Sequence, residues 1–191
     1  MGSEMCIRDR HVVGVGICRG HITERAKRLI EEAEIVYGSK RALELIGEYV
    51  KGESRILRRF DECIRAEVER EAEKASVVVA STGDPMVAGL GKLFGKEVEP
   101  GISSVQVALA KLGVDLCEVV VVDAHAKRFD RLNLSQRHLL ILADKKFDLS
   151  IFGHRRVVVL ENLCSEDERM LYGLADEMRL RSDYSIVFVR R

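Results

Sequence analysis

The sequence lacks several features that would place it in a large functional class. Lysine plus arginine and aspartate plus glutamate number 31 each, so no net charge attracts the chain to nucleic acid or to an anionic membrane. No apolar run reaches the roughly 20 residues of a membrane-spanning helix. Residues 1–10 have no apolar stretch of the kind that a secretory signal needs. We therefore predict a cytoplasmic protein that binds neither nucleic acid nor a membrane.

The cysteines and the first ten residues add little chemistry. The five cysteines are widely spaced and include no CxxC pair, so we predict no metal site and expect mostly buried thiols. Residues 1–10, MGSEMCIRDR, are predicted to be a disordered leader or tag outside the fold. The alternative is an ordinary N-terminal extension that packs against the fold.

The pattern that is present is an alternation of strands and helices. β-branched runs such as HVVGVG, IVYG and VVVAS alternate with segments whose apolar residues recur at helical spacing, such as ITERAKRLIEEAE. This alternation favours an α/β fold with a largely parallel sheet. A hydrophobic content of 47% is ample for a packed core.

The C-terminal part is richer in predicted strands. Four strand-like runs, in EVVVVDAH, RHLLILAD, RRVVVLEN and DYSIVFVRR, follow one another there. Helices are predicted between them at residues 147–152 and 165–178. We therefore predict two α/β domains, spanning residues 11–115 and 116–191.

Glycine-bearing turns follow three of the N-terminal strands. The first, GVGICRG, contains Gly14 and Gly16, and glycines at a strand end allow a ligand to approach the backbone. Its spacing departs from the dinucleotide fingerprint G-x-G-x-x-G. Taken by itself, this motif does not distinguish a ligand loop from a tight turn between strand and helix.

The second turn, STGDP, contains Gly83, Asp84 and Pro85 and precedes a helix predicted from Met86. Because a buried carboxylate is costly without hydrogen bonds, Asp84 must accept them from backbone amides or from a ligand. The alternative is that Asp84 merely caps the predicted helix.

The third turn, EPGISS, places Ser103 and Ser104 at the start of another predicted helix. One serine is explained by helix capping. Ligands of open α/β sheets bind beyond the carboxyl ends of the strands, so three such turns together predict one pocket at that edge.

These three turns, in VVGVG, STGDPMVAGLG and EPGISSVQVALAKLG, resemble successive motifs of the tetrapyrrole (corrin/porphyrin) methylase family. The segments YGSKRALEL, VVVDAHAK and VVVLENLCSEDER are similar to the branch that methylates carbon 5 of cobalt-precorrin-7 in cobalamin biosynthesis. The resemblance implies two α/β domains with S-adenosylmethionine in the cleft between them. It also implies a homodimer, and a separate protein for methylation and decarboxylation at carbon 15. The first loop departs from the family's G-x-G-P-G at Ile17 and Cys18, which leaves its cofactor contact open.

The resemblance also implies roles for individual residues. The predicted cofactor-binding residues are Gly14, Gly16, Gly83, Asp84, Pro85, Val87, Ser103, Ser104 and Leu163. The predicted substrate-binding residues are Arg41, Lys127, Arg128 and Glu161, the three cations because a corrinoid carries several carboxylates. Each of these cations could instead be an ordinary surface charge, and Glu161 could lock its loop to a neighbouring one.

His125 is the candidate catalytic residue. A histidine titrates near neutral pH and could relay a proton when the methylated ring rearranges. The alternative is a structural histidine at a strand end.

Three rival functions are also consistent with the sequence: a related methylase acting at another corrin carbon, a nicotinamide-dependent oxidoreductase that uses GVGICRG, and a binding module without catalysis.

The first prediction separates the two cofactor classes. S-adenosylhomocysteine should raise the melting temperature in a thermal-shift assay, whereas NADPH should not. Stabilisation by NADPH alone would exclude the methylase interpretation.

Overall fold

A computed structural model describes residues 10–95, 97–125 and 136–191. The chain forms two compact units that divide between Ser103 and Ser104. Each unit contains one five-stranded sheet, and helices accompany the strands, so the predicted α/β class is confirmed. The structure thus divides the chain before the helix that begins at Ser104, whereas the boundary predicted from the sequence, between residues 115 and 116, lies after that helix.

The first unit contains a fully parallel sheet with the strand order β3-β2-β4-β1-β5. Its strands are β1 (Arg10–Gly14), β2 (Ile35–Gly38), β3 (Glu53–Ile56), β4 (Val77–Ser81) and β5 (Glu97–Glu99). Its helices are α1 (Glu24–Glu32), α2 (Lys40–Ile46), α3 (Glu62–Ala72) and α4 (Gly91–Phe94).

Both faces of this sheet are covered, as a parallel sheet requires. One apolar cluster joins α1 and α2 to the sheet through residues such as Ala26 and Ile46, and the other includes Val68 of α3 and Phe94. Strand β4 is buried along its whole length. Side chains of Thr23, Ser39 and Asp61 cap α1, α2 and α3.

The register of the central strands aligns their carboxyl ends. Gly14, the last residue of β1, lies opposite Ser81, the last residue of β4. Val13 of β1 lies opposite Glu99, the last residue of β5. The three glycine-bearing turns therefore leave the sheet side by side at one edge.

The helix predicted from Met86 is wrong. Residues 85–90 form turns and bends, and a helix forms only from Gly91 to Phe94. Ala88 has a φ of 51°, a left-handed conformation that no α-helix contains. The alternative role for Asp84 as the cap of that helix is therefore also wrong.

The second unit begins with α5 (Ser104–Leu112) and contains a mixed sheet with the order β6-β7-β10-β8-β9. Its strands are β6 (Val119–Asp123), β7 (His138–Ala143), β8 (Arg156–Glu161), β9 (Arg169–Leu174) and β10 (Ser185–Val189). Strands β6 and β7 are parallel and the other pairs are antiparallel. A short 3₁₀ helix at Leu149–Phe152 matches the predicted helix at 147–152.

The longer helix predicted at residues 165–178 is also wrong, because residues 169–174 form strand β9. The acidic composition of the segment favours a helix locally, but its backbone pairs with β8 over six residues, from Arg169 opposite Glu161 to Leu174 opposite Arg156. Long-range pairing of this kind routinely overrides weak local propensity.

Cys63 and Cys117 are free and exposed, so the expectation of buried thiols is wrong for these two. Among the described residues, the helices are too short or too polar for any of them to span a bilayer.

Candidate functional site

The three turns at the carboxyl edge of the first sheet pack directly against one another. A Cβ atom on Gly14 would lie 2.5 Å from the Gly101 backbone nitrogen and 2.8 Å from the Gly83 carbonyl oxygen. A Cβ atom on Gly101 would lie 2.5 Å from the same carbonyl oxygen. Only residues without a side chain allow these turns to come so close. The structure therefore brings together the three turns that the sequence predicted to share an edge.

A small bridge extends the contact between the first two turns. The Gly16 amide donates to the Gly83 carbonyl at 3.2 Å, and the Gly83 amide donates back to the Gly16 carbonyl at 2.8 Å. Both residues have φ values that favour glycine, 73° and 75°. The bridge holds the GVG turn antiparallel to the STGDP turn just beyond the parallel strands.

Asp84 joins the second turn to the third. Its Oδ1 accepts a hydrogen bond from the Met86 amide at 2.7 Å, and its Oδ2 accepts one from the Gly101 amide at 3.2 Å. Asp84 is half-buried, so the residue remains partly accessible while the two backbone amides hold its carboxylate. Asp84 therefore shapes the loop, and its exposed surface leaves room for a further contact.

The neighbouring predicted residues occupy the same edge. Pro85 is buried, Val87 is half-buried and donates its amide to the Asp84 carbonyl at 3.1 Å. Ser103 is buried beside Gly83, with its Cα 3.7 Å from the position of a Cβ on that glycine. Ser104 is the first residue of α5.

Sequence reasoning missed two polar contacts at this edge. The Thr23 hydroxyl donates to Glu99 at 2.8 Å, which ties the start of α1 to the end of β5. The hydroxyls of Ser39 and Thr82 lie 3.5 Å apart and connect the turns after β2 and β4. Ser39 and Thr82 each follow a strand directly, but the pairing of β2 with β4 could not be inferred from that local signal.

In the second unit, His125 follows β6 and is held by Asp123. Its Nδ1 lies 2.8 Å from Asp123 Oδ1, which also accepts the His125 amide at 3.1 Å. A carboxylate that accepts from Nδ1–H leaves Nε2 as the basic ring nitrogen. The His125 side chain is 41% exposed.

Glu161, at the end of β8, has no exposed surface. One carboxylate oxygen accepts from the amides of Arg181 and Ser182, at 2.6 and 3.1 Å, and the other pairs with the guanidinium of Arg169 directly across the strand pair. This arrangement supports the alternative in which Glu161 locks its loop to a neighbouring segment.

The pKa of Glu161 reflects these contacts. Burial favours the neutral acid, but the hydrogen bonds from the Arg181 and Ser182 amides and the positive charge of Arg169 outweigh it, so the net pKa is lowered. Leu163, two residues further on, is buried between Asn162 and Cys164, whose φ values are 54° and 66°.

The predicted substrate-binding cations are distributed as follows. Arg41 lies in the first turn of α2, directly after β2, and is half-buried. It therefore belongs to the same sheet edge as the three turns. Lys127 and Arg128 lie outside the described residues.

The first unit is thus an open parallel sheet with turns of backbone amides, hydroxyls and one acid at its carboxyl edge, the edge at which sheets of this class bind ligands. The family model for tetrapyrrole (corrin/porphyrin) methylases matches residues 11–179. The chain belongs to this family, and the resemblance found in the sequence motifs is confirmed. Its enzyme class is therefore that of the methyltransferases.

Individual relatives agree with this assignment. A probable cobalt-precorrin-7 C(5)-methyltransferase of Methanocaldococcus jannaschii is 31% identical over 84% of this chain and 86% of its own. The crystal structure of a precorrin-6Y methylase from Archaeoglobus fulgidus is 52% identical, with a TM-score of 0.87 over 96% of this chain and 98% of that one. A uroporphyrin-III C-methyltransferase of Thermus thermophilus, complexed with S-adenosylhomocysteine, is 22% identical with a TM-score of 0.75 over 94% and 96% and shows the same fold.

The second prediction concerns Asp84. The Asp84→Ala variant loses the hydrogen bonds to the Met86 and Gly101 amides, so the STGDP and EPGISS turns are no longer joined by a carboxylate. The dissociation constant for S-adenosylhomocysteine should therefore rise at least about tenfold, or 1.4 kcal/mol. Asp84→Asn keeps one acceptor oxygen and should show a smaller rise. Isothermal titration calorimetry measures both.

The matched control is Asp148→Ala in the second unit, because Asp148 likewise accepts from the amide two residues ahead, that of Ser150 at 2.9 Å. This control should bind S-adenosylhomocysteine like the wild type. An unchanged dissociation constant in a folded Asp84→Ala variant would contradict the role given to Asp84.

The third prediction concerns Glu161. Because its pKa is lowered by folding, the charged carboxylate stabilises the fold above its unfolded pKa of about 4.3, and this contribution disappears as the pH falls through the lower folded pKa. Glu161→Gln should lower the free energy of unfolding by about 2–4 kcal/mol at pH 7, with a smaller difference in acid. Urea unfolding at several pH values measures this, with the exposed Glu166→Gln as control; a difference that grows in acid would contradict the prediction.

Proposed function

We propose that this protein methylates carbon 5 of cobalt-precorrin-7 with S-adenosylmethionine as the methyl donor, in cobalamin biosynthesis. The observation that carries the proposal is the junction of the three turns through Gly14, Gly83 and Gly101, with Asp84 bonded across it. The identity of the substrate is inferred from the relatives. One is named a probable cobalt-precorrin-7 C(5)-methyltransferase and another a precorrin-6Y methylase.

The residues at the junction fit a ligand of this kind. S-adenosylmethionine carries hydroxyl and ammonium donors, and the half-buried Asp84 carboxylate and the Thr82 hydroxyl offer acceptors at the sheet edge. The predicted contacts of Gly16, Pro85, Val87, Ser103, Ser104 and Leu163 with this cofactor are part of the proposal. When bound, the cofactor supplies an electrophilic methyl group.

The chain's own contribution is positioning. Displacement at a sulfonium needs the attacking carbon in line with the methyl group and water kept away, and it needs no covalent nucleophile. The rigid turns hold the donor's position, because each is bonded to at least one other turn. His125, oriented by Asp123, is proposed to accept a proton on Nε2 as the methylated ring rearranges.

The rival within the family is methylation at a different corrin carbon. Two relatives named as C(5)-methyltransferases, 31% and 30% identical over 84% and 83% of this chain, favour carbon 5. A cytoplasmic location, the homodimer and a separate protein acting at carbon 15 stay predictions from the sequence.

The fourth prediction tests the reaction itself. Incubation with cobalt-precorrin-7 and ¹³C-methyl-labelled S-adenosylmethionine should place one labelled methyl group on carbon 5, read by NMR. Asp84→Ala should reduce the rate at subsaturating cofactor about tenfold or more, in proportion to its weaker binding. Label at another carbon would support the rival methylase, and cofactor binding without any transfer would support a non-catalytic module.

A further inference from the structure

The loop after β3, residues 57–60, presents an unusual combination of exposed side chains, and we call it the arginine loop. Arg58 and Arg59 are exposed, and the apolar side chains on either side, Ile56 and Phe60, are 56% and 49% exposed. Leu57 is buried in the core and anchors the loop. Two cations thus stand between two accessible apolar groups.

The helix that follows the loop does not cover Phe60. Phe60 precedes Asp61, the N-cap of α3, a position from which an apolar residue commonly packs against the fourth residue of the helix. That residue is Arg65, which offers no apolar side chain. Phe60 is therefore left accessible by its own helix.

The two arginines are also weakly engaged. Arg59 lies 3.8 Å from Asp61, and its side chain is 76% exposed. Within residues 10–95, 97–125 and 136–191, Arg58 has no ion pair. By contrast, Arg55 of the same strand donates to both Glu53 and the Tyr37 hydroxyl at 2.8–2.9 Å. Arg55 therefore stabilises the fold, whereas the side chains of Arg58 and Arg59 are exposed.

The arginine loop lies at the same sheet edge as the three turns. The Leu57 amide donates to the Gly38 carbonyl at 2.8 Å, so the loop starts beside the turn that leads to Arg41 in α2. In the order β3-β2-β4-β1-β5, it stands two strands from β4. With about 4.8 Å between strands, the loop is roughly 10 Å from the STGDP turn.

We propose that the arginine loop binds the substrate: Arg58 and Arg59 pair with carboxylates at the rim of the corrin macrocycle, and Phe60 contacts its apolar face. This inference rests on the proposed function. Guanidinium groups form strong, charge-assisted hydrogen bonds with carboxylates, and their pairing with an exposed aromatic ring suits a flat ring system with a charged rim. The separation from the cofactor turns suits a substrate that extends along the edge from the site of methyl transfer.

The fifth prediction compares the double variant Arg58→Ala/Arg59→Ala with the wild type. The KM for cobalt-precorrin-7 should rise about tenfold or more, because charge-assisted hydrogen bonds are lost. The kcat should stay within about twofold, because the loss of contacts made equally to the bound substrate and to the transition state raises KM alone. The dissociation constant for S-adenosylhomocysteine should also stay within about twofold, because the arginine loop lies away from the cofactor turns. Added salt should raise the wild-type KM more than that of the variant. Phe60→Ser should raise KM without altering its salt dependence.

The matched control is Arg155→Ala/Arg156→Ala, another pair of adjacent exposed arginines, at the start of β8. The same rise in KM in both double variants, or no rise in either, would overturn the proposal. If the wild type does not methylate cobalt-precorrin-7, the proposed function fails by itself. Binding of that compound, followed by its absorbance, then decides on the loop: weaker binding by the Arg58→Ala/Arg59→Ala variant alone supports it, and equal affinity overturns it.

Discussion

The close contact of Gly14, Gly83 and Gly101 is the constraint on which the proposed site depends. Each turn approaches the next at a distance that a single methyl group would prevent. The approach is possible because parallel pairing aligns the ends of β1, β4 and β5. Asp84 then fixes the second turn to the third by accepting from the Gly101 amide, while the Met86 amide holds the carboxylate from within the second turn. Sheet register, glycine and one carboxylate together produce a rigid edge suited to holding a small molecule.

The two acids singled out from the sequence illustrate different uses of the same group. Asp84 is half-buried and bonded by amides of loops at the sheet edge, so it can organise a site and still meet a ligand. Glu161 is fully buried, and amides of residues 181 and 182 and the guanidinium of Arg169 hold its carboxylate. Burial and the source of the hydrogen bonds distinguish the two, and neither is visible in composition.

The strands before the first two turns were predictable because runs of β-branched residues are a local signal, and these turns lie where such runs end. The two wrong helices had non-local causes. Residues 85–90 form turns and bends beside Asp84, whose carboxylate is bonded to the Gly101 amide, 17 residues away in the chain. Residues 169–174 form a strand because β8 offers an edge and Glu161 faces Arg169 across it. The exposed side chains of the arginine loop were not predicted from the sequence, because the exposure of Phe60 depends on the packing of α3.

The sequence alone determined the α/β class, the family resemblance and the set of three turns, because these depend on short motifs and on periodic burial along one segment. Tertiary structure decided what the turns do to one another. Only the strand order places Gly101 against Gly14 and sets the arginine loop two strands from β4, since both relations join residues far apart in the chain. Contacts between distant segments arise from sheet pairing, which no local pattern specifies.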